Sequence, residues 1–211
     1  DSRQSAWVYD STLASCGLES QGVADRLRSA WAARGPVAAM LDPIAPEWRN
    51  LLEQNQVVIA IDDFGPRRSV FSSFYALAPP PDSMRIIALD CAPENRREWA
   101  PLLVHEITHA LLEDAGYPAW LEEGLAQLLE SQAGGTHPAR SLDRADERLA
   151  EHPFRLESRA PLSSSAAYAR AYLAVRHLFD ARGGYEWVWR ILNRETTAED
   201  TNLTRRERAA L

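Results

Sequence analysis

The sequence contains no lysine, so all of its basic residues are arginines, and the net charge is −7 over 211 residues. The arginines are scattered along the chain and form no basic stripe, which argues against nucleic acid as a partner. The run from Arg205 to Arg208 is short and is interrupted by Glu207, as is usual at a solvated helix end. We therefore expect no nucleic-acid partner.

Long apolar runs and cysteines are also scarce. No stretch approaches the roughly 18–20 apolar residues that a membrane-spanning helix requires, so the sequence predicts no transmembrane segment. Cys16 and Cys91 are too few for a disulfide scaffold; one bridge and two buried thiols are equal alternatives. The chain begins at Asp1 without a methionine, so we expect a processed product, periplasmic or secreted, with a cytoplasmic location as the alternative.

The length of the chain, with 45% hydrophobic residues, suits one domain spanning 1–211, since it is short for two. In residues 1–95 the periodicity predicts helices at 18–34 and 46–54 and strands at 57–61, 69–77 and 84–89. Residues 96–211 read as almost wholly helical. Strands followed by helices indicate an α+β domain, with a small mixed sheet lying above the helices that follow.

The most informative motif is His105-Glu106-Ile107-Thr108-His109, an H-E-x-x-H pattern that chance would produce about 0.01 times in a chain of this composition. Residues i and i+4 share a helix face, so both imidazoles can bind one metal ion. Glu106 points about 100° away from His105, so its carboxylate can reach a water on that ion. The surrounding apolar residues predict a mostly buried helix from Trp99 to Leu112, which makes a surface helix with two chance histidines a poor alternative.

A second helix follows after a short loop. Gly116 is a natural helix stop, Pro118 suits the first turn of the next helix, and that helix is predicted from Ala119 to about Gln132. A short loop folds two helices back antiparallel, so the opening turn can return to the histidines. A zinc ion with two histidines needs a third protein ligand and one position for water, and a glutamate of this turn would complete the set.

The combination of H-E-x-x-H with W-L-x-E-G-L-A, at residues 120–126, resembles the glutamate-ligand zincins, or gluzincins. The short spacing between the two motifs is similar to that of the compact bacterial peptidase-MA-like domains, which are related to the M1-type aminopeptidases. The resemblance implies that one Zn²⁺ is bound by His105, His109 and Glu123. Glu122 and Glu123 point about 100° apart, so only one can face the ion, and Glu122 is the alternative ligand.

A downstream helix carries a further resemblance. Tyr168, Arg176 and Gly183 occupy the positions of a tyrosine, an arginine and a closing glycine on the helix that bears the catalytic tyrosine of M1-type enzymes. The resemblance implies that the phenol of Tyr168 stabilises an oxyanion. The alternative is that Tyr168 and Tyr172 are both core aromatics of an amphipathic helix, and we assign Tyr172 to that packing role.

Two departures from the resemblance limit what it implies. The chain lacks the G-x-M-E-N strand with which aminopeptidases bind the free amine of a substrate, so an endopeptidase is favoured over an amine-reading exopeptidase. Gln127 stands where many gluzincins place an aspartate that orients the first histidine. Its amide oxygen can still accept a hydrogen bond, but it brings no charge.

Together these residues predict a zinc metallopeptidase acting on a peptide or protein substrate. Glu106 serves as general base, Tyr168 as oxyanion donor, and the third predicted strand offers its edge to an extended peptide. Two alternatives share the same residues. One is a catalytically retired zincin-like module that binds peptides as a scaffold, and the other is a zinc hydrolase acting on a non-peptide bond.

Overall fold

The computed structural model describes residues 35–53, 57–62, 73–77, 85–90, 99–134 and 165–205. Within these ranges every strand precedes the long helices, which is consistent with the predicted α+β class. Residues 35–41 are helical, and the other elements follow in the order α1 (Trp48–Glu53), β1 (Val57–Asp62), β2 (Ser73–Leu77), β3 (Arg85–Asp90), α2 (Trp99–Leu112), α3 (Ala119–Gln132), α4 (Ser165–Ala181), α5 (Tyr185–Leu192) and α6 (Ala198–Thr201).

The three strands form one mixed sheet in the spatial order β1–β3–β2. β1 runs parallel to β3, with Val57 opposite Arg85, and β2 runs antiparallel to β3, with Ser73 opposite Leu89. Both edges of β3 are therefore paired. The prediction that the third strand offers its edge to a peptide is wrong, because the order of strands along a chain does not determine their order in a sheet.

The predicted helices α2 and α3 begin and end at the residues that the sequence pattern indicated. β1 ends one residue later than predicted, and β3 begins and ends one residue later than predicted. β2 is described from Ser73, and the first four residues of its predicted range, 69–72, lie outside the described residues. The predicted helix at 18–34 lies outside the described residues, and so do Cys16 and Cys91.

A tight turn reverses the chain between α2 and α3. α2 ends at Leu112, and the turn that follows holds two left-handed residues, Asp114 with a φ of 63° and Gly116 with a φ of 71°, of which glycine adopts this conformation without steric cost. Pro118 precedes α3 with a φ of −70°, a value that its ring imposes. Two contacts show that the helices run antiparallel. His109, near the end of α2, contacts Glu123 near the start of α3, and His105, earlier on α2, contacts Glu130, which is later on α3.

Helix α3 packs against both α2 and α4, and α2 also contacts β2 and β3 of the sheet. Gly124 allows α4 to approach α3 closely, since a Cβ there would lie 2.6 Å from Val175 Cγ2 and 2.7 Å from the carbonyl carbon of Ala171. At the start of α2, the indole of Trp99 donates a 3.2 Å hydrogen bond to the carbonyl oxygen of Asp90, the last residue of β3. The sheet and the helix pair are thereby held together.

Candidate metal centre

Two imidazoles project from α2 toward α3. His105 and His109 are one turn apart on the helix, as the i and i+4 spacing predicts, and their Nε2 atoms lie 3.2 Å apart. The ring planes are inclined at 66° with the centroids 5.0 Å apart. Both side chains are mostly buried, at 14% and 21% exposed. The buried environment limits competition from bulk water at these two nitrogens.

The carboxylate of Glu123, in the first turns of α3, completes a triad with the two imidazoles. Its Oε1 lies 3.5 Å from His105 Nε2, and its Oε2 lies 3.3 Å from His109 Nε2. Potential ligand atoms of the three residues all lie within 4.8 Å of one another, so the group is close enough to hold a metal ion. Within the described ranges it is the one such group of three or more histidine, cysteine or acidic residues.

The spacing of these atoms suits a tetrahedral ion. In a tetrahedral site with metal–ligand distances of roughly 2.0–2.1 Å, the ligand atoms lie about 3.3–3.4 Å from one another. The two Nε2 atoms lie 3.2 Å apart, a separation of this size, and each has a different oxygen of Glu123 at a similar distance, Oε1 at 3.5 Å from His105 and Oε2 at 3.3 Å from His109. Two imidazole nitrogens and one carboxylate are a set of three protein ligands that catalytic zinc sites use. The residues present therefore fit a zinc ion.

Glu122 is the neighbouring alternative to Glu123, and it is half-buried beside the triad. Burial raises the pKa of its carboxyl above the ordinary value, an effect that the nearby His109 opposes and the charge of Glu123 reinforces. The group that the structure places against both imidazoles is nevertheless Glu123. The i to i+1 rotation on a helix explains the difference, since the two carboxylates point about 100° apart.

A second carboxylate of α3, which the sequence interpretation missed, contacts the first histidine. His105 Nδ1 lies 2.8 Å from Glu130 Oε2, and Glu130 is buried at 1% exposed. The sequence did contain a signal, because Glu130 follows Glu123 by seven residues, or two turns on the same helix face. A glutamate at that position of a buried apolar stretch requires a partner.

Gln127 lies between these two glutamates on α3 and does not orient His105. Its amide Nε2 donates a 3.1 Å hydrogen bond to Glu123 Oε1, so the interaction supports the carboxylate of the triad. The amide oxygen of Gln127, which could accept a hydrogen bond, has no partner among the described residues. The carboxylate behind His105 comes from Glu130, three residues further along the same helix.

The charges of this cluster shift two pKa values in opposite directions. Burial of the His105 ring acts to lower its pKa, but the charges of Glu123, Glu106 and Glu130, with the hydrogen bond to Glu130, raise that pKa to about 10. Burial of Glu123 acts to raise its pKa, yet the charge of His105 and the contact with His109 lower that pKa to about 2. Two imidazoles thus lie among three carboxylates, an excess of negative charge that favours a bound cation.

The predicted base and oxyanion donor both lie near the triad. Glu106 is buried at 4% exposed, and its charge acts on the His105 ring and on the phenol of Tyr168. Tyr168 is partly buried on α4, where burial raises the pKa of its phenol and the charges of Glu123 and Glu106 raise it further. Tyr172, one turn later, is buried in the apolar core, as its assignment to packing predicts.

The remaining polar residues of α4 are less well placed. Arg176, which matched the aminopeptidase pattern, and His177 are both exposed, while Gly183 ends the α4 region with a φ of 95°. Two further histidines, His137 and His152, lie outside the described residues.

Comparison with known proteins identifies no relatives for this chain. No protein-family model matches it, and searches of curated proteins and of solved structures return no match. In the part of the chain that the structure describes, no helix is both long enough and apolar enough to cross a membrane. The chemistry of the site therefore rests on its geometry.

Proposed function

We propose that this protein is a zinc-dependent metallopeptidase of the gluzincin type, more closely suited to endopeptidase than to aminopeptidase activity. The observation that carries the proposal is the convergence of His105, His109 and Glu123, whose potential ligand atoms all lie within 4.8 Å of one another. The buried carboxylate of Glu106 beside them supports hydrolysis over a purely structural metal role. Structural zinc sites are usually closed by four protein ligands, whereas three leave a position for water.

The roles of the side chains follow from their positions. A bound Zn²⁺ supplies a polarised carbonyl and a water of lowered pKa. Glu106 takes the proton of the attacking water and passes it to the leaving amine, as a general base that then acts as general acid. The phenol of Tyr168 keeps its proton at neutral pH, because burial and the nearby carboxylates raise its pKa. It can therefore donate a hydrogen bond to the developing oxyanion.

The substrate would be an extended peptide paired with the sheet. Since β3 is central, we assign this role to β2, which has β3 on one side and which packs against the metal-binding helix α2. No other strand of the described segments pairs with β2. Strand addition at such an edge fixes the peptide backbone by main-chain hydrogen bonds, which would hold the scissile bond in a defined register.

The proposal is tested by a peptide-library digest of the zinc-loaded protein with and without chelator. The decisive variant is Glu106→Gln, which keeps the size of the side chain and removes the proton acceptor. It should bind zinc as the wild type does while cleavage falls by at least about 10²-fold. Glu122→Gln is the matched control, because it removes a half-buried carboxylate of the same region that is not assigned to catalysis.

Three outcomes would contradict the proposal. If the wild type binds zinc but cleaves no member of the library, the site is a metal-holding scaffold or acts on another bond. Cleavage that persists unchanged in chelator would remove zinc from the mechanism. Cleavage by Glu106→Gln at the wild-type rate would remove Glu106.

A further inference from the structure

The buried carboxylate of Glu130 takes no direct part in the triad, and its position requires an explanation. Within the described residues, Glu130 contacts one member of the triad: its Oε2 lies 2.8 Å from His105 Nδ1. Its other oxygen, Oε1, is buried and has no hydrogen-bond partner among the described residues. Burying a carboxylate with so little compensation costs stability. A role beyond folding would account for its presence.

The contact with Glu130 selects one form of the His105 ring. A carboxylate accepts hydrogen bonds, so the proton of the neutral ring must lie on Nδ1. The lone pair is then on Nε2, the atom that faces His109 Nε2 and the carboxylate of Glu123. An ion that binds at Nε2 therefore displaces at most a proton from that atom, and the ring need not rotate or change tautomer.

Side chains of α3 contact one proposed metal ligand on α3 itself and one on α2. Glu123, Gln127 and Glu130 follow one another at spacings of four and three residues, so they form a single stripe on α3. Gln127 donates to Glu123 within the helix, and Glu130 reaches across to His105 on α2. The orientation of His105 thus depends on a residue of the opposite helix.

We propose that Glu130 is a positioning residue that sets the tautomer and orientation of His105 and thereby raises the affinity of the triad for zinc. The inference rests on the metal centre and not on the reaction that the centre performs, so it is independent of peptide hydrolysis. Loss of such a partner behind a metal-binding histidine reduces metal affinity by about 10–100-fold.

The test compares Glu130→Gln with Glu122→Gln in the full chain. Both substitutions remove one carboxylate near the triad, but Glu130 contacts an imidazole nitrogen of His105, whereas Glu122 acts on His109 through its charge. Zinc affinity is measured by competition with a chromophoric chelator at neutral pH. We expect the dissociation constant to rise about 10–100-fold in Glu130→Gln and by less than about threefold in Glu122→Gln.

A spectroscopic readout separates positioning from a general loss of structure. In the zinc-loaded wild type, NMR should detect a His105 Nδ1 proton in a charge-assisted hydrogen bond. In Glu130→Gln that resonance should move toward the position of a weaker, neutral hydrogen bond, while the ring signals of His109 stay close to their wild-type positions. Should Glu130→Gln fail to fold, Glu130→Asp keeps the charge but withdraws it by one methylene, and the same reduced affinity and displaced resonance are expected.

The outcomes separate this inference from the proposed function. Wild-type zinc affinity and an unchanged His105 resonance in the Glu130 variants would overturn it and leave the metal centre intact. An equal loss of affinity in Glu122→Gln and Glu130→Gln would also overturn it, because the effect would then be one of total charge. Absence of zinc binding by the wild type would overturn the metal centre and this inference together, whereas absence of peptide cleavage bears only on the reaction.

Discussion

Two buried carboxylates of this molecule, Glu130 behind the metal centre and Asp200 in the first turn of α6, are satisfied to different degrees. Asp200 Oδ1 accepts a 2.9 Å hydrogen bond from Arg190 Nη2, and its Oδ2 accepts from the backbone N–H and the hydroxyl of Thr197, at 2.8 and 2.9 Å. Glu130 has the His105 contact on one oxygen, and its other oxygen has no partner among the described residues.

The difference distinguishes a group of charges that is complete from one that is not. Around Asp200, an arginine balances the charge and a capping box satisfies the backbone, so the arrangement stabilises the fold by itself. Glu130 belongs with Glu106 and Glu123 to a group of three carboxylates around two imidazoles. The imidazoles carry a positive charge only when they are protonated. Bound metal should therefore stabilise the centre between α2 and α3, and it should not change how much the α5–α6 cluster contributes to stability. Unfolding measured in chelator and in zinc tests this contrast.

The largest effect is expected from Glu123→Ala, which removes a ligand of the triad. Two imidazoles alone leave the ion under-coordinated, so the zinc dissociation constant should rise by at least about 10²-fold. The stabilisation that zinc provides to the wild type, about 2.7 kcal/mol at a free concentration of 100 times the dissociation constant, should disappear. Titration by calorimetry and thermal unfolding with and without zinc measure both quantities.

Glu122→Ala is the matched control for that experiment, because it removes the neighbouring carboxylate and should retain nearly all of the zinc response. Equal losses in the two variants, or the reverse ranking, would show that Glu123 is not the ligand.

The next largest effect concerns turnover and not metal binding. Tyr168→Phe keeps the ring and deletes the hydroxyl, so an oxyanion role predicts a fall in kcat of about 10²-fold with little change in KM. Tyr172→Phe, one turn further along α4, lies in the core and should keep nearly normal kcat. Steady-state kinetics on a peptide identified in the library digest measure the effect. Wild-type turnover by Tyr168→Phe would assign this tyrosine to packing.

Gly124→Ala should destabilise the region of the metal centre by about 1–3 kcal/mol, because the new methyl group meets the backbone of α4. A Cβ at this position would lie 2.7 Å from the carbonyl carbon of Ala171, so α4 must shift away and carry Tyr168 with it. Urea unfolding in chelator measures the cost. Gly35→Ala is the control, since a Cβ there meets nothing within 4 Å; a loss of stability equal to that of Gly124→Ala would show that the helix contact is not responsible.

The smallest effect is expected in the α5–α6 cluster. Asp200→Asn weakens the contacts with Arg190 and Thr197 and should cost about 1–2 kcal/mol at neutral pH, equally in chelator and in zinc. Urea unfolding in both solutions measures this cost. A different cost in the two solutions would show that the cluster is coupled to the metal centre.

The contribution of Asp200 should also depend on pH. Burial acts to raise the pKa of Asp200, but the hydrogen bonds from Thr197 and Arg190 outweigh it and hold the pKa below the ordinary value of 3.8. Because the folded pKa is the lower one, this stabilisation is fully present above the unfolded pKa and is lost as the pH falls through the folded value. Urea unfolding between neutral and acid pH should show the difference between wild type and Asp200→Asn shrinking. A difference that persists unchanged at acid pH would contradict the assigned ion pair.

Much of the candidate site was predictable because it depends on helix periodicity. The shared face of His105 and His109 and the rotation of Glu106 away from it follow from about 100° per residue on a regular helix. The same rotation predicted that only one of Glu122 and Glu123 faces the ion, and the family resemblance implied Glu123. Glu130 obeys the same rule relative to Glu123 but was not predicted. Whether a side chain at that position reaches His105 depends on how far apart α2 and α3 pack.

The bounds of α2 and α3 were predicted from local patterns of apolar residues and from the turn residues between the two helices. The sheet shows the opposite case. The strands themselves were predicted from alternating and β-branched residues, but their order was not. β3 became the central strand because β1 pairs with it in parallel after a crossover and β2 pairs with it antiparallel. Such pairings join segments far apart in the sequence, and no local pattern records them.

The sequence by itself determined that two imidazoles and a carboxylate lie on neighbouring helix faces, because a regular helix places residues at fixed angles whatever surrounds it. Only the tertiary structure decided which groups support them. The contact of Glu130 with His105 and the close approach of α4 to α3 at Gly124 depend on the distances between packed helices. Those distances are set by the side chains of all three helices together, since each helix can approach only as closely as its bulkiest contact allows.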